Sequence, residues 1–238
     1  MGVNGWGSTV RTLAWEAVHV VPHRARITVD RTPPDAFASG WRAPVVLLPG
    51  VYEPWRYLLP WARALHERGH PVVVVPELGY QRLAFERAVA VAASAVVAAD
   101  VRGGVLVGHS KGGLIGKALL LEAGIADRVA GLVAVCTPWV GSARMGGLRG
   151  RALRRTALGV FAPGGAELGW LAALTQADAR ITSIQPAWDE FIPAVAGGAG
   201  PPGSRTITLG VNGHFRPVVD PGVHRVLAAE VARLAEGS

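Results

Sequence analysis

The chain has 238 residues, of which 50% are hydrophobic and 17% are charged. This length and composition fit one globular domain with a sizeable core, and they exclude a disordered chain. The formal net charge of +7 comes almost entirely from arginine. We interpret it as compositional bias and predict no nucleic-acid partner, because no nucleic-acid-binding module, zinc spacing or aromatic-basic pattern accompanies it.

The sequence also lacks the patterns of membrane-spanning and exported proteins. No apolar run reaches the roughly 18 residues that a membrane span needs. Residues 1–24 show no signal-peptide pattern, and the single cysteine, Cys136, cannot form an internal disulfide. These features favour a cytoplasmic location. A lipid surface stays open as a partner, and the sequence does not indicate the oligomeric state.

Short apolar runs alternate with helical patterns along the chain, which is typical of βαβ units and a mostly parallel sheet. Six runs predict buried parallel strands, because they are rich in Val, Ile or Leu on both faces. These runs are Val45–Leu48, Val72–Val75, Val105–Val107, Leu132–Val135, Ile181–Ile184 and Thr206–Leu209. An earlier stretch, Arg26–Val29, is predicted to be an antiparallel edge strand.

Four helices are predicted between and after these strands. The first begins at Pro54 and ends near Gly69, and Pro60 is predicted to kink it. The others cover about Leu83 to Ala99, Ser110 to Gly124 and Val223 to Leu234. The pattern predicts a single α/β domain over residues 1–238, with helices on both faces of the sheet.

Residues 139–179 interrupt this alternation of strands and helices. They contain an arginine cluster, followed by Gly164-Gly165 and the apolar run Leu168–Leu174. We predict a small cap insertion over a site, because long insertions are usually lids or disordered segments. The alternative is a basic surface helix beside the sheet. The arginines, which would attract an anionic substrate or a membrane surface, are Arg144, Arg149, Arg151, Arg154 and Arg155.

The strongest motif is Gly108-His109-Ser110-Lys111-Gly112, which has the form Gly-x-Ser-x-Gly. It follows the predicted strand Val105–Val107 and precedes an apolar helix. In this setting the turn is tight and strained, and it exposes the serine hydroxyl beside a helix N-terminus. We predict that Ser110 is the nucleophile of a serine hydrolase. The alternative is that Ser110 only caps the helix.

A serine nucleophile needs a base, and in folds with this turn the order along the chain is serine, acid, histidine. Only His214 and His224 follow Ser110. His214 comes directly after the last predicted strand, whereas His224 begins the last helix. We therefore predict His214 as the base. His109, beside the nucleophile, is predicted to be a packing residue.

The acid should lie between Ser110 and His214 in the chain. Asp189 follows the strand Ile181–Ile184, which puts its carboxylate at the same sheet edge as both residues. Its role would be to orient His214 and stabilise the imidazolium. The alternative is its neighbour Glu190. The other carboxylates considered lie before this strand and are Glu122, Asp127, Glu167 and Asp178.

Two backbone N–H groups are predicted to stabilise the developing oxyanion. One belongs to Lys111, the residue after the nucleophile. The other belongs to Val51, in the turn Pro49-Gly50-Val51-Tyr52 that follows the first predicted strand. Tyr52 is expected either to border an acyl pocket or to pack on Trp55.

The motifs as a set resemble those of bacterial lipases and esterases of the α/β-hydrolase superfamily. The resemblance covers separated segments between about Pro44 and Leu227. Many members of this family have His-Gly where this chain has Pro49-Gly50. The segments that carry it are Leu47–Val51, Gly108–Gly113, Cys136–Ser142, Asp189–Pro193, His214–Arg216 and Asp220-Pro221.

This resemblance implies an α/β-hydrolase fold and cleavage of a small-molecule ester through an acyl-enzyme, without a cofactor or metal. It implies Ser110 as nucleophile, Asp189 as acid, His214 as base, and Val51 and Lys111 as oxyanion donors. An acyltransferase or thioesterase with the same triad is the alternative, and a non-catalytic binding protein is a further one. Three tryptophans suggest an apolar acyl group near the site or else belong to the core: Trp139, Trp170 and Trp188.

Overall fold

The computed structural model describes residues 18–142, 156–192 and 200–237. Its centre is a six-stranded sheet of order β2-β1-β3-β4-β5-β6, in which every neighbouring pair is parallel. Each of the six predicted runs contains a strand, although in Val72–Val75 only the first two residues form one, so the predicted parallel sheet is confirmed. The strands are β1 (Val45–Leu48), β2 (Val72–Val73), β3 (Gly104–His109), β4 (Val129–Val135), β5 (Ile181–Trp188) and β6 (Arg205–Asn212).

Helices cover both faces of this sheet. Alternate residues of β1 point to opposite sides, so Val45 and Leu47 join one apolar cluster while Val46 and Leu48 join the other. The helices are α1 (18–29), α2 (Leu59–His66), α3 (Phe85–Ala98), α4 (Lys111–Leu121), α5 (Ala166–Ala173), α6 (Arg216–Val219) and α7 (Pro221–Glu236). Among them, α2 and α7 pack in the first cluster, and α3 and α4 pack in the second.

The predicted edge strand at Arg26–Val29 is wrong, because these residues end the helix α1. Val20, His23 and Ile27 recur at helical spacing and face the protein, with Val20 and His23 buried. The His23 ring also hydrogen-bonds the carbonyl oxygen of Tyr57 at 2.8 Å. A window of four residues is too short to reveal this period, which explains the error.

The first predicted helix divides at Pro60 instead of bending there. A 3-10 helix covers Trp55–Leu58, and α2 then begins at Leu59 with Pro60 in its first turn. Proline has no N–H to donate, and the first turn of an α-helix is where that N–H is not needed. Pro60 therefore marks the start of α2.

The predicted cap is only partly described. Residues 143–155, which include the whole arginine cluster, lie outside the described residues. The rest contains a 3-10 helix at Gly159–Phe161 and the helix α5. Ser142 joins this segment to two loops, since its N–H donates to Phe161 O at 2.9 Å and its hydroxyl donates to Phe191 O at 2.8 Å.

Within the described residues, no helix combines the length and the apolar character needed to cross a membrane.

Candidate active site

Ser110 lies in the sharp turn between β3 and α4. Its backbone has φ 52° and ψ −117°, a strained conformation for a residue with a side chain. A Cβ atom on Gly112 would overlap the carbonyl oxygen of Leu48, so the glycine allows α4 to lie directly on β1. The strand, the strained serine and the close helix form the turn that the Gly-x-Ser-x-Gly motif predicts.

His214 and Asp189 form a buried hydrogen-bonded pair at the same edge of the sheet. The Nδ1 of His214 lies 2.8 Å from Oδ2 of Asp189, and both residues are buried. Because a carboxylate only accepts hydrogen bonds, Nδ1 carries the proton and Nε2 is left to accept one. The other carboxylate oxygen, Oδ1, accepts the N–H groups of Phe191 at 2.8 Å and Ile192 at 2.9 Å, which fixes the loop after β5.

Opposing effects act on the pKa of His214. Burial lowers it, but the Asp189 carboxylate, with further contributions from Glu53 and Glu190, raises it above the ordinary histidine value. The imidazolium form of His214 is therefore stabilised, as a base that takes a proton requires.

Asp189 and Glu190, the two neighbouring candidate acids, have different partners in the structure. Glu190 Oε2 accepts the backbone N–H of His214 at 3.0 Å and does not contact the ring nitrogens. Asp178, another of the carboxylates considered, instead pairs with Lys117 at 2.5 Å. His224, the alternative base, is hydrogen-bonded to the carbonyl of Val218 at 2.9 Å.

The turn Pro49–Tyr52 lies against Ser110. A Cβ atom on Gly50 would come within 3.0 Å of the Ser110 Cβ. Across the described residues, the N–H groups of Val51 and Lys111 donate to no protein acceptor. The Lys111 side chain points away, with Nζ donating to Leu83 O at 2.7 Å, and burial lowers the pKa of Lys111 to about 8.

A second buried acid–histidine pair lies behind the first. The Nδ1 of His109 is 2.9 Å from both carboxylate oxygens of Glu53, and its Nε2 is 3.1 Å from the carbonyl oxygen of His214. His109 is fully buried, in line with the predicted packing role, but it is also a hydrogen-bonding link. Glu53 was not predicted from the sequence as a residue of the site. The available signal was that it is a single carboxylate between the Pro49–Tyr52 turn and an apolar helix.

Ser110 and His214 line one cavity of about 630 Å³. No hydrogen bond joins the Ser110 hydroxyl to His214 within the described residues. Most of the cavity wall is apolar. The helix α1, which the sequence did not associate with the site, contributes Val20, Val21 and Arg24.

The tryptophan hypothesis finds no support in the cavity lining. Trp139, Trp170 and Trp188 lie outside it, and the aromatic rings that border the cavity belong to Tyr52, Phe161, Phe191 and Phe215. Tyr52 therefore borders the pocket, which is one of the two positions expected for it.

The ligand atoms of Cys136, Asp189 and His214 lie within 4.8 Å of one another, a spacing that a metal ion could use. However, the facing atoms of Asp189 and His214 are already bonded to each other. Burial, with help from nearby carboxylates, raises the pKa of the Cys136 thiol well above its usual range. The three groups therefore form a hydrogen-bonded acid–histidine pair beside a buried thiol.

The parallel six-stranded sheet, its strand order and the strand–serine–helix turn define an α/β-hydrolase fold. Solved structures with this fold are similar over most of the chain. One solved structure, from work on the metagenome-derived lipolytic enzymes LipS and LipT, matches with a TM-score of 0.63 and 13% identity. The match covers 87% of this chain and 100% of that one.

Two further solved structures match in the same way. A membrane phospholipase A, a bacterial virulence factor, has a TM-score of 0.59 and 15% identity, covering 95% of this chain and 96% of that one. A thermophilic esterase from Thermogutta terrifontis has a TM-score of 0.58 and 17% identity, covering 83% and 92%. No protein-family model and no curated protein matches the sequence. Identities this low establish the fold alone, and the reaction has to be argued from the site.

Proposed function

We propose that the protein is a serine hydrolase that cleaves carboxylic esters through an acyl-enzyme, as the resemblance to lipases and esterases implies. The observation that carries the proposal is a strained serine on the same cavity as a histidine whose Nδ1 is bonded to a buried aspartate. The lipolytic enzymes and the esterase among the similar structures agree with this chemistry.

In the first half of the reaction, Ser110 Oγ attacks the ester carbonyl carbon while His214 Nε2 takes the hydroxyl proton. Asp189 stabilises the imidazolium and keeps the reactive nitrogen directed away from itself. The tetrahedral intermediate then expels the alcohol, which receives the proton from His214. In the second half, water attacks the acyl-enzyme with the same base, and the carboxylic acid is released.

The contact between nucleophile and base forms with the substrate in place. Catalytic hydrogen bonds are often long in free enzymes and shorten in the substrate complex. The N–H groups of Val51 and Lys111 would bind the oxyanion, since they have no protein acceptor in the described residues.

The substrate class follows from the cavity. A volume of about 630 Å³ lies within the usual range of roughly 300–1,000 Å³ for small-molecule sites. Leu158 and Phe161, from the described part of the predicted cap, line it together with Val20 and Val21. We therefore propose a small-molecule ester with an apolar acyl group, and a cap role for the segment that contains Leu158 and Phe161.

The test is labelling with a fluorophosphonate probe together with turnover of nitrophenyl esters of increasing acyl length. We expect the probe to modify Ser110, and Ser110→Ala to lower kcat by about 10⁴-fold or more. An apolar acyl pocket also predicts higher kcat/KM for butanoyl and hexanoyl esters than for acetyl esters.

Thr208→Ala on β6, whose residue lies outside the cavity lining, is the matched hydroxyl-removal control and should keep full turnover. An unlabelled Ser110 in folded protein, or equal turnover in Ser110→Ala and the wild type, would refute the proposal.

A further inference from the structure

We propose that Glu53 and His109 form a positioning pair, which ties the turn Pro49–Tyr52 to the carbonyl group of His214. This inference rests on the proposed function, because it concerns how the same site is held in a reactive geometry. Neither side chain is proposed to contact the reacting atoms, and both act through the residues that they hold.

The Glu53 end of the pair holds the turn. The Glu53 carboxylate is buried, and its Oε2 accepts the N–H of Gly50 at 2.7 Å. This bond engages the Gly50 N–H, whereas the next N–H, that of Val51, has no protein acceptor within the described residues. Because a buried carboxylate needs strong partners, the turn has little freedom to move away from Glu53.

The His109 end holds the residue that we propose as the base. A carbonyl oxygen only accepts hydrogen bonds, so the Nε2 of His109, 3.1 Å from the His214 oxygen, must carry a hydrogen. The Nδ1 faces the Glu53 carboxylate, and a second proton lies between those two groups. With both nitrogens engaged, the ring is a rigid link and has no lone pair free to act as a base.

The bond to His109 completes the support of His214. Asp189 holds the ring and Glu190 holds the backbone N–H, while His109 holds the backbone carbonyl. The pair thus connects the proposed oxyanion donor and the proposed base through the residue before the nucleophile. In such sites a displacement of about 1 Å can cost roughly 100-fold in rate.

The decisive comparison is Glu53→Gln against Glu53→Met. A glutamine can accept the Gly50 N–H with its oxygen and donate its NH₂ to Nδ1 of a neutral His109, whose Nε2–H still donates to His214. All three links survive without the charge. Methionine has similar length and makes none of them.

We expect Glu53→Gln to keep kcat within about 3-fold of the wild type, and Glu53→Met to lower kcat by about 10- to 100-fold with KM little changed. The double variant Glu53→Leu/His109→Phe removes both buried polar partners together, which costs less stability than removing one. It should show the same loss of kcat as Glu53→Met while its thermal unfolding stays cooperative.

The control is Glu230→Met. Glu230 is also a buried glutamate, bonded to Thr182 and Arg233 and outside the cavity lining, so its loss should lower stability and leave kcat unchanged. Wild-type kcat in either Glu53→Met or the folded double variant would overturn the proposal, as would a 100-fold loss in Glu53→Gln. Turnover that does not depend on Ser110 would instead overturn the proposed function, so the two failures are distinguishable.

Discussion

Three different side chains hold three of the four polar groups of His214, and its Nε2 is the fourth. Asp189 accepts from the ring, Glu190 accepts from the backbone N–H, and His109 donates to the carbonyl oxygen. The sequence offered Asp189 and Glu190 as neighbouring candidates for one role. The loop after β5 separates them, because Asp189 Oδ1 binds two backbone N–H groups of that loop and thereby directs Oδ2 toward the ring.

Asp189→Asn should lower kcat by about 10⁴-fold, because the amide no longer favours the reactive tautomer or the imidazolium. The pH dependence should change with it. Activity needs neutral His214, so the wild-type kcat/KM rises with pH through a pKa above the ordinary histidine value. Loss of the carboxylate leaves burial as the main effect on that pKa, and the rising limb should move to lower pH.

Glu190→Gln is the matched variant, because the glutamine oxygen still accepts the His214 N–H. We expect a loss in kcat of less than about 10-fold, with a smaller shift of the same limb, since Glu190 is one of the weaker contributors to the pKa of His214. The measurement is kcat/KM against pH for both variants. A larger loss in Glu190→Gln than in Asp189→Asn would assign the acid role to Glu190.

At the scale of elements, the packing of α4 on the sheet sets the position of Ser110. The strand and helix patterns around Ser110 are local, so β3 and α4 were predictable from the sequence, with strand bounds extended by one or two residues. The helix α1 was not predicted, because its helical period appears only over a window longer than the four residues Arg26–Val29.

Gly112→Ala tests this packing. The added methyl group would overlap Leu48 O and push β1, with the Pro49–Tyr52 turn after it, away from Ser110. We expect the free energy of unfolding to fall by about 1–3 kcal/mol and ester turnover to fall with it. Gly169→Ala in α5 is the control, because no atom lies within 4 Å of its Cβ position, and it should raise the free energy of unfolding by about 0.5–1 kcal/mol. The measurement is urea unfolding of both variants. Equal free energies of unfolding for the two variants would contradict the overlap.

At the scale of the whole molecule, a buried ion pair joins the centre of the fold to the end of the predicted cap segment, residues 139–179. Lys117 on α4 and Asp178, just before β5, lie 2.5 Å apart with both side chains 2% exposed. The contact is close but lacks hydrogen-bond alignment at the Asp178 oxygens. Neither residue stood out in the sequence as part of a pair, because their distance depends on how β4 and β5 pair.

Lys117→Met should lower the free energy of unfolding by about 3–5 kcal/mol, because it leaves the Asp178 carboxylate buried without its partner. The double variant Lys117→Met/Asp178→Leu should recover most of this loss, since it removes both buried charges. A double-mutant cycle by urea unfolding measures the coupling. Additive losses in the cycle would mean that the two groups do not interact.

The sequence by itself determined the features that depend on near neighbours. The apolar runs specified the six strands, and the glycines on either side of Ser110 specified the tight turn in which it lies. These features follow from side-chain period and from the backbone conformations that glycine allows, which are local properties.

Only the tertiary structure decided the features that join distant segments. It selected the neighbour of the His214 ring from two adjacent acids, placed α1 at the cavity, and brought Glu53 and His109 to the carbonyl of His214. The physical reason is that these contacts depend on strand order and loop conformation. The sequence around a carboxylate is the same whether or not the fold brings a histidine to it. Local patterns therefore cannot reveal such a pair.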